Sequence, residues 1–292
     1  MKNLNKCNYG IVGLGIMGGS IAKAIRENIL CMNGSEGHIY AADINESSLQ
    51  LSVEQKIIDK AFDISNVDKM LSDCDVVYIC LYPELTVDFL IEHKTAFKKD
   101  SIVTDISGVK HNIFKSYKDF YTGDFDFIFG HPMAGSEKEG YFSSSGSVFK
   151  NRNYILIPVE QNKAENLESI KLLILSLGFT NIVETTAQIH DHKIAFTSQL
   201  CHVIASALVD CAEDTKVTSF GGGSFEDLTR IALINAPLWT ELFLSNKDEL
   251  LSHIEKFKSS LNELESFIQK DDSNNLCSYL SNVRNKRQQM KN

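Results

Sequence analysis

The sequence predicts an α/β fold over residues 1–186, followed by an all-α domain over residues 187–292. Two observations carry this. From Asn8 to Thr185, short apolar runs alternate with helical patterns, the rhythm of a parallel sheet covered by helices on both faces. From Gln188 onward the strand signals vanish, and apolar residues recur at helical spacing. A chain of 292 residues has the length for two such domains.

The first element expected is a strand, Asn8 to Val12, which runs into Gly13-Leu14-Gly15-Ile16-Met17-Gly18 and then a helix. The glycines fit GxGxxG in strand–turn–helix context, the fingerprint of a Rossmann-type dinucleotide-binding domain. Gly13 permits the tight turn, Gly15 lets a pyrophosphate reach the backbone, and Gly18 lets helix pack on strand. Ile16 and Met17, within the glycine run, are expected at the cofactor, and Gly19 to Ile25 continues as a helix, whose N-terminal free N–H groups and positive dipole end face the phosphates. A second strand, Gly37 to Ala42, ends in Asp43. A carboxylate there accepts hydrogen bonds from ribose hydroxyls and repels a 2′-phosphate, so the expected cofactor is NAD.

Next come the strand Asp75 to Leu81, ending at Tyr82-Pro83 beside the expected cofactor, a helix from about Glu84 to Phe97, and the strand Ser101 to Asp105. Thr104 to Lys110 then turns into another helix. The run Asp126 to Phe129 reads as a buried strand leading into Gly130 to Gly140, GHPMAGSEKEG. His131 is expected at that strand's carboxyl end, where ligands of open α/β sheets bind, with Pro132 stopping the ladder. Taken alone, this stretch reads equally well as a strand-end His that caps a turn. The strand Tyr154 to Pro158, a helix from about Lys163 to Leu177 and the strand Asn181 to Thr185 complete the sheet.

In the second half, Gln188 to Asp214 reads as one helix. Ser198 and His202, four residues apart, share a face and suggest a lined pocket. Arg230 precedes the apolar run Ile231 to Ile234. A buried guanidinium there needs an anionic partner, either a carboxylate of the protein or a ligand held bidentately. Trp239, the sole tryptophan, is placed to wall a pocket or an interface. Helices are expected at Phe225 to Leu233, Pro237 to Leu244 and Lys247 to Gln269. In the last of these, Leu250, Ile254, Phe257, Leu261, Leu264 and Ile268 form one apolar stripe. Such a stripe packs within the chain or against a second copy, and a homodimer through the helical domain is expected. The tail from Asp271 is polar and reads as a marginal last helix.

Composition narrows the function. A net charge of −9 argues against nucleic-acid or anionic-membrane surfaces. The opening MKNLNKCNYG lacks an apolar signal core, and no run approaches a membrane span. Seven scattered cysteines without a CxxC pair fit reduced thiols, so a cytoplasmic location is expected. No metal site is expected: His190 and His192 fall on different helix faces, and HExxH is missing from the sequence.

GLGIMGGS at Gly13 to Ser20, TDISGVK at Thr104 to Lys110, GHPMAGSE at Gly130 to Glu137, HD at His190-Asp191, TSQLCH at Thr197 to His202 and FEDLTRIA at Phe225 to Ala232 stand in one order along the chain. Together they resemble the prephenate/arogenate dehydrogenase family of tyrosine biosynthesis. The resemblance implies NAD-dependent oxidative decarboxylation of prephenate, a dianion, to 4-hydroxyphenylpyruvate. Hydride leaves C4 as the C1 carboxylate departs as CO2. It gives His131 the C4 hydroxyl, Arg230 a substrate carboxylate, and Ser198 and His202 positions near substrate and nicotinamide. The family often has Ser-His-Leu-Pro-His where this chain has Ser198 to His202. Many members have Gly-Ser-Val-Lys where this chain has Ser107-Gly108-Val109-Lys110, so the serine that supports the catalytic His is displaced by one, to Ser107, with the Gly108 backbone or a water as the alternatives for its role. Arogenate dehydrogenase is the near alternative. A 3-hydroxyacid or imine dehydrogenase shares the plan but leaves HPMAGSE unexplained, and an NAD-binding module would not need His131 and Arg230 together.

Overall fold

The computed structural model describes residues 1–31, 34–135 and 138–290. One eight-stranded sheet organises the first part, in the order β3-β2-β1-β4-β5-β6-β7-β8. The strands are β1 (Tyr9–Val12), β2 (Ile39–Ala42), β3 (Lys60–Phe62), β4 (Val76–Ile79), β5 (Ile102–Asp105), β6 (Asp126–Pro132), β7 (Asn153–Ile157) and β8 (Asn181–Glu184). β1 to β6 run parallel; β7 pairs antiparallel with β6, and β8 follows β7. The helices between them are α1 (Ile16–Asn28), α2 (Glu46–Glu54), α3 (Val67–Asp73), α4 (Pro83–Glu92), α5 (His111–Lys115), α6 (Tyr117–Phe120) and α7 (Ala164–Ser176).

Every residue of β1, β4 and β5 is buried, as a sheet covered on both faces requires. On one face Ile21 and Ile25 of α1 pack with Ile170, Leu173 and Ile174 of α7. On the other Met70, Leu71, Leu90 and Ile113 pack with Phe127 and Phe129 of β6.

Two strands differ from the sequence reading. β3 is an edge strand of three residues, Lys-Ala-Phe, too short to show an apolar run. β6 does not stop before Pro132: His131 pairs with Ile155, and Pro132 with Tyr154. The proline is tolerated because N–H groups alternate along a strand. Met133 N–H donates to Asn153 O on the β7 side, while Gly130 N–H donates to Asp105 Oδ1 on the β5 side. Pro132 therefore faces the side where β5 has already ended, and no ladder bond is lost.

The second part holds α8 (Ala187–Ile194), α9 (Leu200–Asp210), α10 (Gly223–Thr229), α11 (Ala236–Ser245), α12 (Lys247–Gln269) and α13 (Ser273–Gln289). The single helix expected from Gln188 to Asp214 is interrupted by a π-turn, Ala195–Gln199, in which Leu200 N–H reaches back to Ala195 O. The tail forms a full helix, begun by the Asp272 side chain accepting from Asn275 N–H. Among the described residues no helix is long and apolar enough to cross a membrane.

Candidate active site

The carboxyl ends of β2, β1, β4, β5 and β6 lie side by side and carry Asp43, Gly13, the Tyr82-Pro83 turn, Ser107 and His131. At roughly 4.8 Å per strand, this row spans about 19 Å. Its first half has the features of a dinucleotide cradle. Gly13 holds a left-handed φ of 87°, and a Cβ there would lie 2.6 Å from Cys80 O. A Cβ on Gly18 would lie 2.0 Å from Gly13 O, so strand and helix meet backbone to backbone. A Cβ on Gly15, by contrast, would meet nothing within 4 Å. That open space lies at the N-terminus of α1, which no side chain caps, so backbone donors are available to an anion. Ile16 and Met17 form the first turn. Asp43 accepts from Leu14 N–H and Asn45 N–H, which fixes its carboxylate at the end of β2. Pro83 is the first residue of α4.

The second half is a buried polar network. Lys110 and Asp105 are both fully buried and form an ion pair. Lys110 Nζ also donates to Gly130 O, and Asp105 accepts from Gly130 N–H and Ser107 N–H. The free edge of β6 beyond the end of β5 is thus closed by a side-chain cation and anion in place of a strand. Burial pushes the Lys110 ammonium below its ordinary value, opposed by Asp105.

His131 Nδ1 lies 2.8 Å from His190 Nε2, and His190 Nδ1 lies 2.7 Å from Asp191 Oδ1. Asp191 is held in turn, by Lys110 N–H at 2.9 Å and His111 N–H at 2.8 Å. His131 Nε2 faces Gly108, 3.9 Å from where a Cβ of that residue would be. Burial holds His131 well below the ordinary imidazole value, and His190 and Lys110 push it the same way. His190 is lowered by burial too, against its bond to Asp191.

Ser107 does not reach this network through its side chain. Its Oγ is buried without a hydrogen-bond partner. The serine one position away from the family pattern therefore does not hold His131; His190 is the group bonded to it. Ser136 and Glu137 of the GHPMAGSE run lie outside the described residues.

The helical residues form a neighbouring wall. His202 Nδ1 lies 3.0 Å from the Ser198 carbonyl, not its hydroxyl. The His202 ring stacks on Trp239 with centroids 3.6 Å apart. Burial lowers the His202 imidazole, the Ser198 carbonyl raises it, and the Arg230 charge lowers it. Trp239 lies on α11 one turn before Leu242, whose Cδ2 would be 3.4 Å from a Cβ on Gly108. α11 thus joins the His202 wall to the His131 end of the sheet. Gln199, where the resembling family has a histidine, is buried and donates to Leu242 O at 2.7 Å, and Asn246 bridges it to Asp191 O. The Ile231 to Ile234 run is not buried as expected. Arg230 is exposed, Leu233 is 71% exposed, and Ile231, Ala232 and Ile234 are only half-buried where the segment rests on α9. His190 and His192 do point apart: His192 Nδ1 bonds Glu249 Oε2 at 2.6 Å and ties α8 to α12.

His190 is the site residue that sequence reasoning left without a role. Its signal was the His-Asp pair, but its partner is 59 residues away, which no local spacing reveals.

The arrangement has counterparts among known proteins. The family model described as the prephenate dehydrogenase nucleotide-binding domain matches residues 21–183. The one described as the prephenate dehydrogenase dimerization domain matches residues 186–282. A prephenate dehydrogenase of Lactococcus lactis subsp. cremoris is 30% identical, over 90% of this chain and 72% of that protein. A cyclohexadienyl dehydrogenase of Zymomonas mobilis is 27% identical, over 93% of this chain and 92% of that protein. The crystal structure of prephenate dehydrogenase from A. aeolicus in complex with hydroxyphenyl propionate and NAD+ superposes with a TM-score of 0.87 at 30% identity, covering 99% of this chain and 100% of that one. With both halves matched in order, this chain belongs to the prephenate dehydrogenase family and is a dehydrogenase.

Proposed function

We propose that the chain catalyses NAD-dependent oxidative decarboxylation of prephenate, using residues 1–186 for the cofactor and residues 187–292 for substrate binding and dimerisation. The observation that carries this reading is the placement of His131, an imidazole kept neutral at the carboxyl end of β6, in one row with the dinucleotide cradle. The bound NAD+ supplies the hydride acceptor. Asp43 favours it over its 2′-phosphorylated form by like-charge repulsion, and the next residue, Ile44, brings no cation to offset that.

The chain's own groups do the rest. As hydride leaves C4, the C4 hydroxyl becomes a carbonyl and its proton must go to a base. His131 Nε2 takes it, since a neutral imidazole is competent at working pH. The C1 carboxylate leaves as CO2, and the electron pair of the broken bond passes through the ring to the C4 oxygen, which takes the proton back from His131 as a phenol forms; aromatisation of the ring drives the step. Arg230 holds a substrate carboxylate, with Ser198 and His202 beside it and Trp239 as the wall that orients the ring. The Zymomonas mobilis relative, named a cyclohexadienyl dehydrogenase, favours a second reading in which arogenate is also accepted.

The test is NADH formation by purified protein with NAD+, given prephenate and arogenate in parallel, and again with NADP+. Turnover of prephenate with NAD+ is expected. Turnover of arogenate alone would replace the substrate, and no turnover with either would overturn the reading.

A further inference from the structure

Resting on that reading, we infer that His190, backed by Asp191, is the positioning residue that fixes the tautomer of His131 in place of the serine this chain lacks at position 108. Gly108 stands beside His131 Nε2, and the displaced Ser107 hydroxyl bonds nothing. What His131 does have is a 2.8 Å contact from Nδ1 to His190 Nε2.

The hydrogens on this chain of rings follow from what each partner can accept. Both Asp191 oxygens accept backbone N–H groups, Lys110 on Oδ1 and His111 on Oδ2, so the carboxylate acts as an acceptor. His190 Nδ1, 2.7 Å from Oδ1, must carry the hydrogen. A neutral His190 then has a lone pair on Nε2. That lone pair accepts from His131 Nδ1–H and leaves the lone pair of His131 on Nε2. Burial and the Lys110 charge disfavour a proton on either ring, which keeps the pair in this neutral arrangement. The Nε2 that carries this lone pair lies 3.9 Å from where a Cβ of Gly108 would be, just past the end of β5.

In the reaction the proton of the C4 hydroxyl passes to His131 Nε2. The resulting imidazolium keeps its Nδ1–H bond to His190 and returns the proton from Nε2 to the phenolate oxygen once CO2 has left, so no proton passes on to His190. Without the acceptor at His190, His131 divides between two tautomers, and the one with hydrogen on Nε2 cannot act as the base. His190 acts through His131 and is not itself a group that takes the proton.

The inference is tested by two substitutions and one spectroscopic measurement. His190→Leu removes the acceptor, and kcat should fall about 10²-fold, the scale of a lost general base, with KM for NAD+ and substrate unchanged. His190→Gln offers an amide oxygen to the same Nδ1–H and should keep most of the wild-type kcat. In the substrate-free wild-type protein, 15N shifts should show His131 with hydrogen on Nδ1, and in His190→Leu a mixture. Equal loss in the Leu and Gln variants would make the residue merely structural and overturn the inference. So would unchanged kcat in His190→Leu, or an Nε2–H tautomer in the wild type. The tautomer is read without turnover. If the protein failed to oxidise prephenate, the proposed function would fall while the 15N result still decided the role of His190.

Discussion

His131 has its proton affinity set before any substrate arrives. Burial disfavours the imidazolium, and His190 and the Lys110 ammonium oppose it further, while Asp191 and Asp105 each face one of those two neighbours. Because kcat/KM reports the free enzyme, its acid limb should fall below the ordinary imidazole value of about 6.5. An inflection at or above that value would show that His131 is not the titrating base. The same shift has a stability sign. The folded-state value lies below the unfolded one, so the unfolded chain binds more protons between the two. The stability contribution is complete above about pH 6.5 and is lost as pH falls toward the folded value. Melting temperature should therefore drop on acidification through that window, less steeply in His131→Gln. Substitutions separate the roles. His131→Ala should lower kcat by about 10²–10⁴-fold while leaving NAD+ affinity intact. Arg230→Ala should mainly raise KM for the dianion, by about tenfold or more. Equal loss of NAD+ binding in both would sink these assignments. The place of His131 at the end of its strand was legible in the sequence because the apolar run before it is local, whereas the burial expected around Arg230 was not met. The orphaned Ser107 hydroxyl was not legible, since one residue of displacement changes which atom faces the ring.

At the scale of elements, the fold was legible where periodicity is strong and obscure where tertiary pairing decides. Apart from β3, the parallel strands and α12 stand where the apolar runs place them. β3 was invisible because three residues on an edge need no apolar alternation. β6 was cut short in the reading because proline's cost depends on which side its missing N–H would face, a fact of the partner strands and not of the chain. The π-turn at Ala195–Gln199 was equally hidden; it ends at the buried Gln199, which is tied to Leu242 O and Asn246. The element most exposed to a single change is the β5–α5–β6 junction. Lys110 and Asp105 replace a strand along the edge of β6, and Lys110→Met would strand the Asp105 carboxylate and the Gly130 carbonyl in the interior. An uncompensated buried charge of this kind costs about 3–5 kcal/mol. Urea unfolding should show a loss of that size with an unchanged m-value. A loss under about 1 kcal/mol would mean that water or a rearranged backbone closes the edge instead.

The whole molecule is two parts with unequal cores. The sheet domain buries its apolar runs on both faces, whereas the helical part leaves many uncovered: Phe220 is 94% exposed, Ile268 63% and Leu261 53%. On α12 the stripe begins buried at Leu250 and ends in solvent, and no residue of α13 is buried. Patches of this kind on soluble chains mark association surfaces, and a homodimer through α9 to α13 would cover them, including the exposed flank of Arg230. The expected particle in sedimentation equilibrium is therefore twice the 32.7 kDa chain, and melting temperature should rise with protein concentration, since dissociation and unfolding are linked. The double substitution Leu261→Glu and Ile268→Glu places like charges on both copies of the seam. It should yield monomers that melt at lower temperature, with the concentration dependence gone and activity reduced if the partner also braces the Arg230 segment. Dimers that persist in this variant would move the interface to α9 and α10, and a wild-type monomer with an unchanging melting temperature would leave the exposed stripe without a partner copy.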